Sequence, residues 1–531
     1  MNNFTITYTS LKDYSDYASF GFSINETSSE LTCVVHSVSE RIQHILTNAF
    51  NDLVKYFSGI DLGLSTRDSD RQLFINTMQH LTDAFGTHRV LRAIQRIGIN
   101  TSTKLDYGLL LTKGELRDLY HELTCVTKQD FEELIFEIKN APTPTRGINQ
   151  ATWNELKTSF AEISHIQDCE ACELKKLHNL LLPFPSNKEH FFSDDPFFEI
   201  HNCTPRIFSD FTMRLTVSQT LECVRTKILS LPEWEFFFTK KLAQPDFAEG
   251  LVVAHPDGYL YFEDHIDIAG THKRIFAPLG KSKIPTHVLY RGTRGSMPMD
   301  SLLDIRTTIM EDMSNEIGTY GAIQSYEKTK ALFEKKNDLV LLGYSLGGAY
   351  AQRDAIAFYE KAQKVVTVCA PGIDSKTTEL FAKIVSKHPK PFSIVHASDE
   401  DDIVDAAGEA HIGAGCTQLC SVRILSYAPQ NKGLCVKMSI PSENIISLVL
   451  RLYQVTIAHS RPTSISEHTC LELSTDDPSQ VELIDKVLSH DETVYDPYIE
   501  LLRKKMSYIV VPSFTDFLKE KIPSLTSLNH V

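Results

Sequence analysis

The stretch DLVLLGYSLGGAYAQ, residues 338–352, constrains this chain more than any other. Leu339, Val340, Leu341 and Leu342 run without a polar break and meet Gly343-Tyr344-Ser345-Leu346-Gly347-Gly348. An apolar run without alternation suits a strand buried on both faces. The glycines mark a turn with no room for side chains, and helix formers follow them. Strand, tight turn and helix in that order belong to a parallel sheet covered by helices. Ser345 then has two readings. It lies in a glycine-rich packing turn, or a strained turn presents it as a nucleophile.

The flanks repeat the alternation. GLVVAHPDGYLYFEDHI reads as a hairpin around Asp257-Gly258, and THVLYRGTRG as a short β-rich run. GAIQSYEKTKALFEKKN predicts a helix before the Ser345 strand. After it come a helix (AYAQRDAIAFYEKA), a strand (KVVTVCAPG), a helix (SKTTELFAKIVSKH) and a strand (PFSIVHASDEDDIV). The part before residue 245 has a different texture. Ile42, Ile45, Leu46, Ala49, Leu53 and Phe57 recur at helical spacing, and KQDFEELIFEIKN repeats the pattern. We therefore expect a helical N-terminal region over 1–245, with a joint near 140–150 at NAPTPTRGINQ. An α/β region over 246–470 and a helical extension over 471–531 follow.

Bulk properties narrow the partners. A chain of 531 residues with 42% hydrophobic and 23% charged residues is globular and long enough for several domains. Its formal net charge of −15, without a long Lys/Arg run, disfavours nucleic acid. Eleven scattered cysteines fit reduced thiols, and the N-terminus has no basic-then-apolar leader. IISLVLRLYQVTIA, the longest apolar stretch, is broken by Arg451 and is too short to span a bilayer. The expected location is cytoplasmic, or outside the cell by leaderless export. HIQDCEACELKKLH sets His165, Cys169, Cys172 and His178 close together, but a single C-x-x-C on an amphipathic helix does not make a zinc site. No metal or organic cofactor is implied.

Four stretches, in order, carry a resemblance to the fungal-type (class 3) lipases of the α/β-hydrolase fold, over about residues 250–470. They are VLYRGT (Val288 to Thr293), GYSLG, VVTVCAPG and FSIVHASDEDDIVDAAG. The resemblance implies a serine esterase acting through an acyl-enzyme. Ser345 is then the nucleophile, with oxyanion donors at Thr293 and Leu346. The triad acid falls on Asp402, with Asp399 and Asp401 close enough to leave the register open. The base falls on His459, with His411 and His468 as rivals. The chain departs from the family at Tyr344, usually His, and at Asp405, usually Pro. Aromatic residues common after the family histidine are also missing.

In this family the interval after Thr293 carries a lid. Here, over residues 296–318, Met297, Met299, Met310 and Met313 are four of the chain's nine methionines, and Leu302, Ile305, Ile309 and Met313 keep helical spacing. A cover over acyl chains and a core-packing helix both fit. The expected substrate is a carboxylic ester, foremost an acyl lipid, met through transient contact with a membrane or lipid surface. Two alternatives stay open: acyl transfer through the same triad, and an inactive hydrolase fold used for binding. The helical N-terminal region is an expected docking site for an unidentified protein.

Overall fold

The computed structural model describes residues 3–6, 20–25, 30–35, 85, 89, 90, 93, 94, 122, 123, 125–144, 148–181, 230–242, 249–268, 271–292, 317–399, 404, 407–429, 468–490 and 513–525. They fall into two compact units. One takes residues 1–223, 246–259 and 279–282, and the other residues 224–245, 260–278 and 283–531.

The first unit, expected to be helical from its apolar spacing, opens on strands. β1 (Asn3–Ile6), β2 (Phe20–Asn25) and β3 (Glu30–Val35) form an antiparallel sheet in the order β1-β3-β2. Helices follow: α1 (Lys128–Asn140), α2 (Gln150–Phe160) and α3 (Ala171–Leu181). α1 starts where it does because Thr127 and Asp130 close a reciprocal capping box, with Thr127 N donating to Asp130 Oδ2 at 2.8 Å. Its apolar stripe of Phe131, Leu134, Ile135 and Ile138 is buried. The C-x-x-C pair splits, Cys169 buried and Cys172 exposed, while the His178 ring stacks on Phe131. Burial raises the Cys169 thiol to about 12. Among the described residues no group of His, Cys, Asp and Glu is arranged to hold a metal ion.

Most of a nine-stranded mixed sheet, with flanking helices, lies in the second unit. Helix α4 (Leu231–Leu242) leads into it. The strands are β4 (Val252–His255), β5 (Gly258–Ile268), β6 (Thr271–Pro278), β7 (His287–Tyr290), β8 (Leu339–Tyr344), β9 (Ala362–Val368), β10 (Ser393–Asp399), β11 (Ser421–Pro429) and β12 (His468–Ser474). Their spatial order is β12-β11-β10-β9-β8-β7-β6-β5-β4. β7 to β11 run parallel, whereas β6 is antiparallel to β5 and β7, and β12 is antiparallel to β11. β4 and the first two residues of β5 group with the first unit. β11 and β12 are strands the sequence pattern did not single out.

Besides α4, the described helices of this unit are α5 (Thr319–Phe333), α6 (Leu346–Ala357), α7 (Ser375–Lys387), α8 (Val481–Leu488) and α9 (Phe514–Lys521). β8 is buried along its whole length because helices cover both faces of the sheet. Alternation puts Val288 and Tyr290 on the face that packs with α6, and His287 on the other, where Trp234 of α4 meets its ring edge-on at 5.5 Å. No described helix is long and apolar enough to cross a membrane.

Candidate active site

Ser345 stands between the last residue of β8 and the first of α6, with φ +54° and ψ −134°. That conformation is one L-residues avoid, and holding it costs on the order of 1–3 kcal/mol. The surroundings enforce it. Ser345 N donates to Val368 O at 3.0 Å on β9, and Gly348 N to Ser345 O at 2.7 Å. The glycines are required by close approach. A Cβ on Gly343 would lie 2.4 Å from Gly347 O, and one on Gly348 would lie 2.1 Å from Ala370 Cβ. A Cβ on Gly347 would lie 2.3 Å from Tyr290 O and 2.6 Å from Arg291 O. The turn is therefore pressed against the end of β7, the strand that leads to Thr293.

Every residue of α6 is buried, yet Ser345 at its head is partly exposed. A sharp turn at the carboxyl end of a parallel strand lifts one hydroxyl out of a buried surround. The first amides of a helix have no partner within it, so the Leu346 N–H is a donor available beside that hydroxyl.

α6 carries three consecutive polar residues inside the core, Gln352, Arg353 and Asp354. Gln352 donates to Pro371 O at 2.9 Å and accepts from Ile412 N at 3.1 Å. Arg353 donates to Ile317 O at 2.9 Å and pairs with Asp374 at 3.0 Å. Asp354 accepts from Lys273 at 2.5 Å and from the Tyr290 hydroxyl at 2.7 Å. The helix behind the serine is thus tied to loops after β9 and β10 and to strands β6 and β7. Sequence reading missed these residues, because QRD inside a helix reads as its solvated face.

The other expected site residues distribute unevenly. Thr293, Asp402, His459 and Asp401 lie outside the described residues, as do residues 296–316 of the expected cover. Of that interval, Ile317 and Gly318 are described, and Ile317 is buried. Their flanking strands are described. β10 ends at Asp399, two strands from β8 and at the same carboxyl edge. β11 ends at Pro429 and β12 begins at His468 opposite it, so the chain containing His459 leaves and re-enters the sheet at that edge.

Of the rival histidines, His468 opens β12, at one edge of the sheet. His411 is buried in a row of three rings, 4.5 Å from His396 and 5.0 Å from His490. Within that row His396 is also buried. Its Nδ1 lies 2.6 Å from Thr367 Oγ1 and its Nε2 3.1 Å from Ile412 O. Burial pushes its pKa down to about 4; the Ile412 carbonyl opposes that shift and His490 adds to it.

Comparison of the chain with protein-family models, with curated proteins and with solved structures finds no match.

Proposed function

We propose that the chain is a serine hydrolase of carboxylic esters, foremost acyl lipids, built on an α/β-hydrolase fold of the class 3 lipase kind. The observation that carries this reading is the backbone of Ser345. A packing turn has no need to hold a serine at φ +54° between a parallel strand and a buried helix, whereas a nucleophile elbow does. The strand order supports it. With the serine after β8, an acid after β10 and a histidine after β11, all three come from one edge of the sheet in the order Ser, Asp, His.

In this reading Ser345 Oγ attacks the ester carbonyl and His459 takes its proton. Asp402 orients the imidazole and offsets its positive charge. The N–H groups of Thr293 and Leu346 hold the carbonyl oxygen as it becomes an oxyanion. His459 then returns the proton to the departing alcohol, and a water deprotonated by the same imidazole cleaves the acyl-enzyme.

The test is covalent labelling. A fluorophosphonate should modify the folded chain at one peptide, residues 339–353 or thereabouts, and Ser345→Ala should abolish that labelling. Ester turnover should fall by several powers of ten in that variant, because triad members act as a unit. His459→Ala should do the same, while His411→Ala and His468→Ala keep most activity. Labelling that survives Ser345→Ala would refute the assignment.

A further inference from the structure

Helix α6 and strand β7 meet at two places. At the first turn of the helix, Gly347 presses against the carbonyls of Tyr290 and Arg291. Further along, the Tyr290 hydroxyl donates to Asp354 Oδ2 at 2.7 Å. At a rise of about 1.5 Å per residue, Gly347 and Asp354 stand roughly 10 Å apart along the axis. One contact would let the helix pivot on the strand end; two contacts fix its direction.

The second contact is chemically expensive. Lys273, Tyr290, Thr329 and Asp354 are all buried, and Lys273 Nζ reaches Asp354 Oδ2 at 2.5 Å and Thr329 Oγ1 at 2.6 Å. An ion pair taken fully out of water is a poor stabiliser next to apolar residues of the same volume. What it provides is direction. Lys273 Nζ and the Tyr290 hydroxyl both donate to the same oxygen, Asp354 Oδ2, and hydrogen bonds between charged partners are shorter and stronger than neutral ones. Burial, then the Asp354 charge, push the Tyr290 hydroxyl well above the usual phenol range, so it remains the donor.

We propose that Tyr290 and Asp354 are a positioning pair for the oxyanion hole. Their hydrogen bond sets the head of α6, with the Leu346 amide, against the end of β7, from which the chain runs through Arg291 and Gly292 to Thr293. The Leu346 amide is thereby held beside Ser345, where the ester oxygen gains charge as the carbonyl becomes tetrahedral. This rests on the serine-hydrolase reading of Ser345.

The test uses the full chain, a p-nitrophenyl ester for turnover and a fluorophosphonate for inactivation. Tyr290→Phe removes only the hydroxyl. We expect kcat to fall about 10- to 100-fold, the scale of an ångström-sized misplacement, with KM changed by less than about twofold. Phosphonylation should slow by the same factor, since that adduct uses the same donors. Lys273→Met/Asp354→Leu replaces the ion pair with apolar volume and should show the same loss. Adding Tyr290→Phe to it should cost nothing more, because one bond can be lost only once.

Thr329→Val, which weakens Lys273 but not the Tyr290 bond, should lower the unfolding temperature and leave kcat alone. A folded Tyr290→Phe with kcat within about twofold of wild type would overturn the proposal. So would losses that multiply in the triple variant, or a Thr329→Val loss as large. If Tyr290→Phe does not fold, Lys273→Met/Asp354→Leu decides by the same kcat criterion. A wild-type chain that the fluorophosphonate never labels would sink the serine-hydrolase reading itself. A labelled wild type with an indifferent Tyr290→Phe would sink only the positioning pair.

Discussion

Replacing Gly347 by alanine isolates the close approach that shapes the serine turn. The new Cβ would lie 2.3 Å from Tyr290 O and 2.6 Å from Arg291 O. An ordinary carbon-to-oxygen contact needs about 3.3 Å, so strand end and helix head must part by roughly 1 Å. Both obstacles are backbone atoms, and no side-chain rotation relieves them. Overpacking of this kind costs about 1–3 kcal/mol. At roughly 2–4 °C per kcal/mol for a domain of 150–250 residues, the unfolding temperature should drop by several degrees.

Activity should suffer more than stability, since a 1 Å error at a reacting group costs about 100-fold in rate. Gly415→Ala is the control. Unlike Gly347 it has positive φ, +71°, and a Cβ there meets nothing within 4 Å. Alanine in that backbone conformation costs about 1–2 kcal/mol and should leave turnover untouched. Scanning calorimetry and ester hydrolysis on both variants check this. A Gly347→Ala protein with wild-type turnover would refute the reasoning.

Ser345→Gly should abolish fluorophosphonate labelling and yet stabilise the fold by about 1 kcal/mol or more, because glycine takes φ +54° without strain; calorimetry reads this directly. His396 should make the protein acid-sensitive. Its folded pKa, about 4, lies below the unfolded value near 6.5. The unfolded chain therefore binds this proton first. The stabilisation is complete above about pH 6.5 and is lost as the pH falls through 4, by about 3 kcal/mol at most. Urea midpoints between pH 7 and 5 should fall less steeply for His396→Gln than for wild type, with His411 and His490 intact in both. Asp374 caps α7, accepting from Thr377 N at 2.8 Å, and pairs with buried Arg353. Asp374→Asn keeps the cap and Asp374→Ala loses it, so urea midpoints should separate the two by about 1 kcal/mol. Both should fall about 3–5 kcal/mol for the broken buried pair.

Features that depend on near neighbours along the chain are legible in its residues. The unbroken apolar run of Leu339 to Leu342 made β8 a buried strand, and Gly343, Gly347 and Gly348 made the turn. Helical periodicity placed α1, α5, α7 and α8, and Asp257-Gly258 placed the β4–β5 hairpin. These follow from the 3.6-residue and two-residue periods and from steric rules within a few residues of the chain.

Other features depend on contacts between distant parts of the chain. β1 to β3 are strands in a region whose later periodicity is helical, and β11 and β12 earn their place by pairing with β10 and with each other. Gln352, Arg353 and Asp354 look solvated in sequence because polar residues on a helix usually face water. Here sheet and helices cover α6 on every side, and its polar partners come from Lys273, Tyr290, Ile317, Pro371, Asp374 and Ile412. No periodicity within α6 carries information about groups so distant along the chain, since their meeting is set by how strands and helices stack, and only that stacking turns three polar residues of one helix into the frame behind Ser345.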